Sequence, residues 1–173
     1  MALLALSYPT LDPADTAWIQ AIRQQHDKLY DVVAPHFTLV FPTFDLDAAA
    51  FRAHVRRQVQ GQPPIAIELR CAIVVKDALS EVTQTFLVPD QGFSDFVKLH
   101  DRLYTGDLAE HLRLDIPFIP HITVATSPDP TVCKLIADAI NEQDIHISGM
   151  LHSIDIVEHV NGAVTTVEQI VLG

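Results

Sequence analysis

The run Pro35-His36-Phe37-Thr38-Leu39-Val40 recurs, type for type, as Pro120-His121-Ile122-Thr123-Val124-Ala125. At this chain's own residue frequencies, on the order of 0.01 matches to Pro-His-apolar-Thr-apolar are expected by chance, so the repeat sets the architecture before any other feature is read. The two histidines lie 85 residues apart, about half of the 173-residue chain. A two-lobed molecule follows, each lobe supplying one motif. Both copies are rich in β-branched, aromatic and aliphatic residues and are bounded by Pro, so both read as strands. Residues i and i+2 of a strand share a face. His36 with Thr38, and His121 with Thr123, therefore form polar pairs facing away from a core side made by Phe37 and Leu39 or by Ile122 and Val124.

Flanking segments predict an α+β fold. Leu3 to Ser7 reads as the first strand. Asp12-Pro13 supplies a cap and a first-turn Pro for a helix from Ala14 to about Leu29, anchored by Trp18, Ile19, Ile22 and Leu29. After the strand His36 to Phe41, Asp47 caps a helix to about Val59 whose Phe51, Val55 and Val59 share a face. Ile65 to Val75, with a bulge or break near Arg70, and Val82 to Val88 are strands, and Phe93 to Tyr104 is a helix with Phe93, Phe96, Val97 and Leu103 inward. The β segment Ile116 to Thr126 carries the second motif. Asp129-Pro130 opens a last helix with Val132, Leu135, Ile136 and Ile140 toward the core. The remainder, Ile145 to Ser148, Leu151 to Val160 and Ala163 to Leu172, is β, with Asn161-Gly162 as a hairpin turn. The expected architecture is bilobal and pseudo-twofold, with mostly antiparallel sheets, helices on the outer faces and a cleft between the motif strands. Residues 1–173 form one domain of two intertwined lobes, because no Gly/Ser-rich linker divides them.

Composition narrows the function classes. The chain is 49% hydrophobic and 19% charged, which is globular. The N-terminal Met-Ala-Leu-Leu-Ala-Leu is too short to span a membrane and lacks the basic start of a signal sequence. Cys71 and Cys133 do not make a disulfide framework, which suits a reducing cytoplasm. Twenty-two acidic against eleven basic residues give a net charge of −11. A protein tracking long duplex nucleic acid needs a basic stripe, so a substrate with one or two phosphates fits better.

Paired imidazoles across a cleft make a general acid and a general base, because an unperturbed pKa near 6.5 allows one to be neutral while the other is protonated. The arrangement suits in-line phosphoryl transfer, with Thr38 and Thr123 donating to non-bridging phosphate oxygens and no metal required. The other histidines, His26, His54, His100, His111, His146, His152 and His159, read as structural. None has zinc-binding spacing. Tyr8, Tyr30, Phe41 and Tyr104 are candidates for stacking a base, with Phe41 in core parity with Phe37.

With two His-x-Thr-x motifs on strands of a bilobal α+β chain, the sequence resembles the 2H phosphoesterase superfamily, in its 2′-5′ RNA ligase and cyclic phosphodiesterase-like branch. The resemblance runs from Leu3-Leu4-Ala5-Leu6 to the final hairpin. It implies hydrolysis of a 2′,3′-cyclic phosphate to a 2′-phosphate, or reversible cleavage of a 2′-5′ linkage as in RNA processing, by a cofactor-free and metal-free hydrolase. By the same resemblance His36 and His121 are catalytic, with His121 the base on water and His36 the acid on the leaving 3′ oxygen; ligation would exchange the roles. Thr38 and Thr123 bind phosphate. Many relatives carry Arg or Lys soon after the second motif, whereas Ala125-Thr126-Ser127-Pro128 contains no cation. Phosphate affinity would then come from the His-Thr pairs, backbone amides, or a cation such as Lys76, Arg102 or Arg113. The partner expected is a small nucleotide or RNA end, bound by a cytoplasmic monomer with no membrane association. The alternative is a non-catalytic nucleotide-binding or sensing module of the same fold; a metal-dependent hydrolase would need a carboxylate or His cluster and would be sensitive to EDTA.

Overall fold

A computed structural model of the chain describes residues 1–77 and 80–173. Its backbone repeats one order of elements. The first run is β1 (Ala2–Ser7), α1 (Pro13–His26), β3 (Phe37–Thr43) and α2 (Ala48–Val59), with a two-residue strand β2 (Thr10–Leu11) inserted before α1. The second is β5 (Thr83–Gln91), α3 (Phe93–Leu103), β6 (Ile122–Ser127) and α4 (Pro130–Asn141), with a short 3-10 helix at Gly106–His111. In each run the first strand pairs antiparallel with the motif strand, β1 with β3 and β5 with β6. Each motif strand is a sheet edge.

The two runs interlock. β4 (Ile65–Lys76), which follows the first run, pairs with β5 of the second; β8 (Ser153–Val160), which follows the second, pairs with β1 of the first. With β7 (Ile147–Leu151) and β9 (Ala163–Val171), this gives one sheet of order β3-β1-β8-β9 and another of order β2-β7-β4-β5-β6. Helices are exchanged in the same way, α1 packing on β6 and α3 on β3. The main core draws on both sheets and all four helices, with the Phe37 and Phe96 rings stacked at a centroid distance of 4.4 Å. The result is the expected bilobal, pseudo-twofold α+β architecture.

Local chemistry sets the element ends. Asp12, Asp47 and Asp129 each accept a backbone N–H of the first turn of α1, α2 and α4, the normal service of an Asp cap. α1 stops at His26 rather than Leu29, because the Asp27 carboxylate receives the Leu29 N–H at 2.9 Å and turns the chain outward. At Gly92, which precedes α3 with φ of +88°, an added Cβ would sit 2.5 Å from the Ala66 carbonyl oxygen. Asn161 and Gly162 have φ of +50° and +84°, the hairpin geometry expected of Asn-Gly.

Several boundaries and faces differ from the sequence reading. The second motif strand begins only at Ile122, since Pro117 and Pro120 remove donors from the preceding segment. β3 continues through Pro42 because an edge strand tolerates a missing N–H. β5 continues through Pro89, beyond its last pairing with β6. The irregularity expected near Arg70 falls between Leu69 and Cys71. In α4 the buried residues are Cys133, Ala137 and Ile140, while Val132 and Leu135 are 38% and 64% exposed. The small residues let the helix lie close to its sheet, with Ile140 and, in part, Ile136 inward as expected and Val132 and Leu135 turned outward. In α3 the inward face is Phe96, Leu99, His100 and Leu103, with Phe93 at its exposed start.

Candidate functional site

The two motifs share a detailed burial rhythm. In the first, Phe37, Leu39 and Val40 are buried while His36, Thr38 and Phe41 are half-exposed. In the second, Ile122, Val124 and Ala125 are buried while His121, Thr123 and Thr126 are half-exposed. Two consecutive buried residues break a strict period of two. The cause is a β-bulge at the same place in both strands. The pairing of β1 with β3 slips between Leu6–Thr38 and Ala5–Val40, and that of β5 with β6 between Phe86–Thr123 and Thr85–Ala125. Each slip inserts one extra residue, so the cleft face continues three residues after each Thr instead of two. Phe41, expected in the core by parity, is turned into the cleft, and Thr126 with it.

Both histidines are oriented by the same local device. His36 Nδ1 lies 2.8 Å from the carbonyl oxygen of Ala34, and His121 Nδ1 lies 2.5 Å from that of Ile119. A carbonyl only accepts, so each Nδ1 carries the proton and each Nε2 is left as the basic lone pair. The Pro between acceptor and histidine has a reason: it restricts the residue before it to extended backbone, and that residue supplies the carbonyl. His121 also stacks on Phe86, with ring centroids 3.5 Å apart and planes 13° apart. Tyr8 meets His36 edge-on at 6.1 Å.

His36, Thr38, His121 and Thr123 line one cleft of about 460 Å³ between the sheets. Its walls are otherwise largely apolar, with Leu4, Leu6 and Phe41 on the first-motif side and Val75, Gln84 and Phe86 on the second. Burial lowers the pKa of both imidazoles. That of His121 falls to about 4, chiefly through desolvation, with its hydrogen bond to Ile119 opposing and the neighbouring His36 lowering it further. Desolvation also lowers that of His36, opposed by its bond to Ala34, with Arg23 lowering it and Asp27 raising it. Without ligand, both rings are neutral bases at neutral pH.

The loop that delivers His36 is tied down by Arg23, which is 1% exposed. Its guanidinium bonds Asp27 at 2.8 Å and donates to the carbonyls of Val33 and Leu29 at 2.7 and 3.3 Å. Of the cations expected near phosphate, Lys76 lines the cleft but lies 3.4 Å from Glu81. Arg102 instead bonds Gln62, and Arg113 bonds Asp115; neither lines the cleft. Lys28, which no sequence pattern marks, does line it. His159, read as structural, also stands on the cleft wall, whereas His54 is buried and bonded to the Leu103 carbonyl at 2.8 Å. Tyr104 is buried as well, its hydroxyl accepting from the Phe41 N–H at 2.9 Å. Among the described residues no group of three or more His, Cys, Asp or Glu is placed to hold a metal ion, and no helix is long and apolar enough to cross a membrane.

Interlocked lobes, edge strands with matched bulges and two carbonyl-locked histidines facing one cleft define a bilobal, paired-histidine α+β protein. Residues 11–163 match the model of the 2′-5′ RNA ligase superfamily, and the chain belongs to that family of 2H phosphoesterases. Comparison with curated proteins by sequence gives no match. Among solved structures, TT0787 of Thermus thermophilus superposes with a TM-score of 0.64 at 16% identity, covering 99% of this chain and 98% of that one. E. coli LigT in its apo form gives 0.58 at 18%, covering 99% and 96%, and Kluyveromyces marxianus Usb1 gives 0.55 at 9%, covering 95% and 96%. LigT has also been solved with 3′-AMP and Usb1 with uridine monophosphate.

Proposed function

We propose that the protein is a phosphodiesterase that hydrolyses a 2′,3′-cyclic phosphate to a 2′-phosphate, or cleaves a 2′-5′ phosphodiester, by paired-histidine acid and base catalysis without metal. The observation that carries this reading is the matched tautomer lock, which leaves an Nε2 lone pair on each of two histidines in one cleft, each beside a threonine hydroxyl. Binding a nucleotide needs donors and apolar walls; it does not need two proton-transfer groups held in the same state by the same device.

In the proposed reaction, His121 Nε2 takes a proton from water as its oxygen attacks phosphorus. His36, protonated at Nε2, gives that proton to the leaving 3′ oxygen as the P–O3′ bond breaks. Thr38 and Thr123 donate to the non-bridging oxygens, whose charge grows in the transition state. An anionic phosphate between the rings favours their protonated forms, so substrate binding itself raises both pKa values from their depressed free values. Because its pKa starts from about 4, His121 still holds the base form when the phosphate is bound and can accept the proton from water. After reaction, solvent exchange returns the proton from His121 and restores His36. Support for a small nucleotide substrate comes from the cleft volume, the net charge of −11 and the nucleotide complexes of the structural relatives.

The test is incubation with the four 2′,3′-cyclic nucleoside monophosphates and a 2′-5′ linked dinucleotide in EDTA, with products resolved by chromatography. The reading expects 2′-phosphates from the cyclic substrates or cleavage of the dinucleotide. Binding without turnover would instead establish a nucleotide-binding module, and turnover that requires added metal would overturn the mechanism.

A further inference from the structure

The cleft is symmetric at the histidines and threonines and asymmetric one layer out. On the first-motif side the next residues are Leu4 and Phe41; on the second they are Gln84 and Thr126, which face each other across β5 and β6. The apolar side is closed by Leu6 and Val164, part of a small separate cluster with Val33 and Val157. The polar side is open. Beyond Thr126 a second groove begins, lined by Gln24, Gln25, His26 and Ser127, and Asp27, Lys28 and Thr126 line both cavities. These three residues form the junction through which a ligand in the cleft would extend.

The charges at this junction leave one cation available. Asp27 is neutralised by Arg23 at 2.8 Å, and among the residues lining the second groove it is the sole carboxylate. Lys28 is exposed and has no ion pair among the described residues, whereas Lys76, the other lysine of the cleft, is paired with Glu81. In a chain with twice as many acids as bases, most cations are paired with carboxylates. A lysine left free at the junction of two cavities is suited to an anion that arrives with the ligand.

We propose that Lys28, with Thr126 beside it, is a subsite for a second phosphate carried by the same substrate as the reacting one. The proposal rests on the nucleotide phosphodiester reading above. It orients the substrate: the ring of the nucleoside lies toward Leu4 and Phe41, where Arg23, the one Arg of the cleft wall among the described residues, is buried and paired with Asp27, and the second phosphate lies toward Gln84, Thr126 and Lys28.

The experiment is calorimetric titration of the native chain, Lys28→Ala, Lys28→Arg and Lys28→Glu with adenosine 2′-monophosphate and adenosine 2′,5′-bisphosphate at low salt. The readout is the ratio of the two affinities in each protein. One exposed charge-assisted contact predicts a preference for the bisphosphate of roughly tenfold in the native chain. That preference should persist in Lys28→Arg, disappear in Lys28→Ala, invert in Lys28→Glu and weaken as salt is raised. If the native chain binds both compounds equally, or the preference survives in Lys28→Ala, the subsite is overturned while the phosphodiesterase reading stands. If neither compound binds, both fall together.

Discussion

At the scale of single residues, the site is two copies of one device: a proline fixes a carbonyl, the carbonyl fixes a histidine tautomer, and a threonine two residues on shares its face. Depressed imidazole pKa values make the pH dependence of the proposed activity a specific expectation. The productive free enzyme carries one proton on the pair, so kcat/KM should peak between the pKa of His121, about 4, and the ordinary value of 6.5, below which His36 also lies. The kcat profile should sit at higher pH, because bound phosphate favours protonation. A kcat/KM optimum above about pH 7.5 would contradict this assignment. In the proposed reaction Thr38 and Thr123 each donate to a charged phosphate oxygen, a bond worth about 1.5–3 kcal/mol, so Thr38→Ala and Thr123→Ala should each lower kcat/KM by roughly tenfold or more, with Ser substitutions retaining most of it. Parity alone makes the pairing of His36 with Thr38 and of His121 with Thr123 legible in the sequence. Lys28 is not legible, because its importance comes from where the end of α1 meets β6, a contact between distant parts of the chain.

Elements carry the second level of specification. The double apolar steps Leu39-Val40 and Val124-Ala125 encode the matched bulges, and a strict alternation cannot anticipate them; that is why Phe41 reads as core and proves to be cleft. The Asp-Pro caps make α1 and α4 readable as helices, while the inward face of α4 is readable only in part, since close packing on the sheet favours Cys133 and Ala137 over Val132 and Leu135. The loop from α1 to His36 depends on the buried Arg23–Asp27 pair. Breaking such a pair by removing one partner typically costs about 3–5 kcal/mol. Arg23→Met should therefore lower the urea midpoint sharply, and Arg23→Met with Asp27→Leu should recover only part of it, since the Leu29 N–H and the Leu29 and Val33 carbonyls still lose their partners. Neither variant restores donors to the Leu29 and Val33 carbonyls, so turnover should remain low in both. Full activity in the double variant would show that the loop needs no such anchor.

On the scale of the whole molecule, exchange of strands and helices between the halves makes the site a product of the complete fold: β3 and β6 face one cleft only when β4 and β8 have crossed into the opposite sheets. The bilobal, intertwined order is foreseeable in the sequence, whereas which strands and helices cross is not, because that rests on pairings between segments far apart in sequence. Burial of His36, His100 and His121 as neutral rings adds a pH dependence to stability. Their folded pKa values lie below the unfolded value of 6.5, so their contribution is intact above that pH and is lost as pH falls toward the folded values, reaching about 4 for His121. The urea midpoint, followed by the fluorescence of Trp18, should fall as pH is lowered from about 7 to about 4; a midpoint that is flat over that range would show that these rings are not held neutral by the fold. The central claim, that the two histidines act as one catalytic unit, is tested most directly by kcat/KM in EDTA for the native chain, His36→Ala, His121→Ala and the double variant on whichever cyclic phosphate is turned over. The account predicts that each single variant loses at least about a hundredfold and that the double variant loses little more than the worse single one, as residues acting as a unit do. A single variant that retains activity within about tenfold of native, with its partner also dispensable, would contradict it.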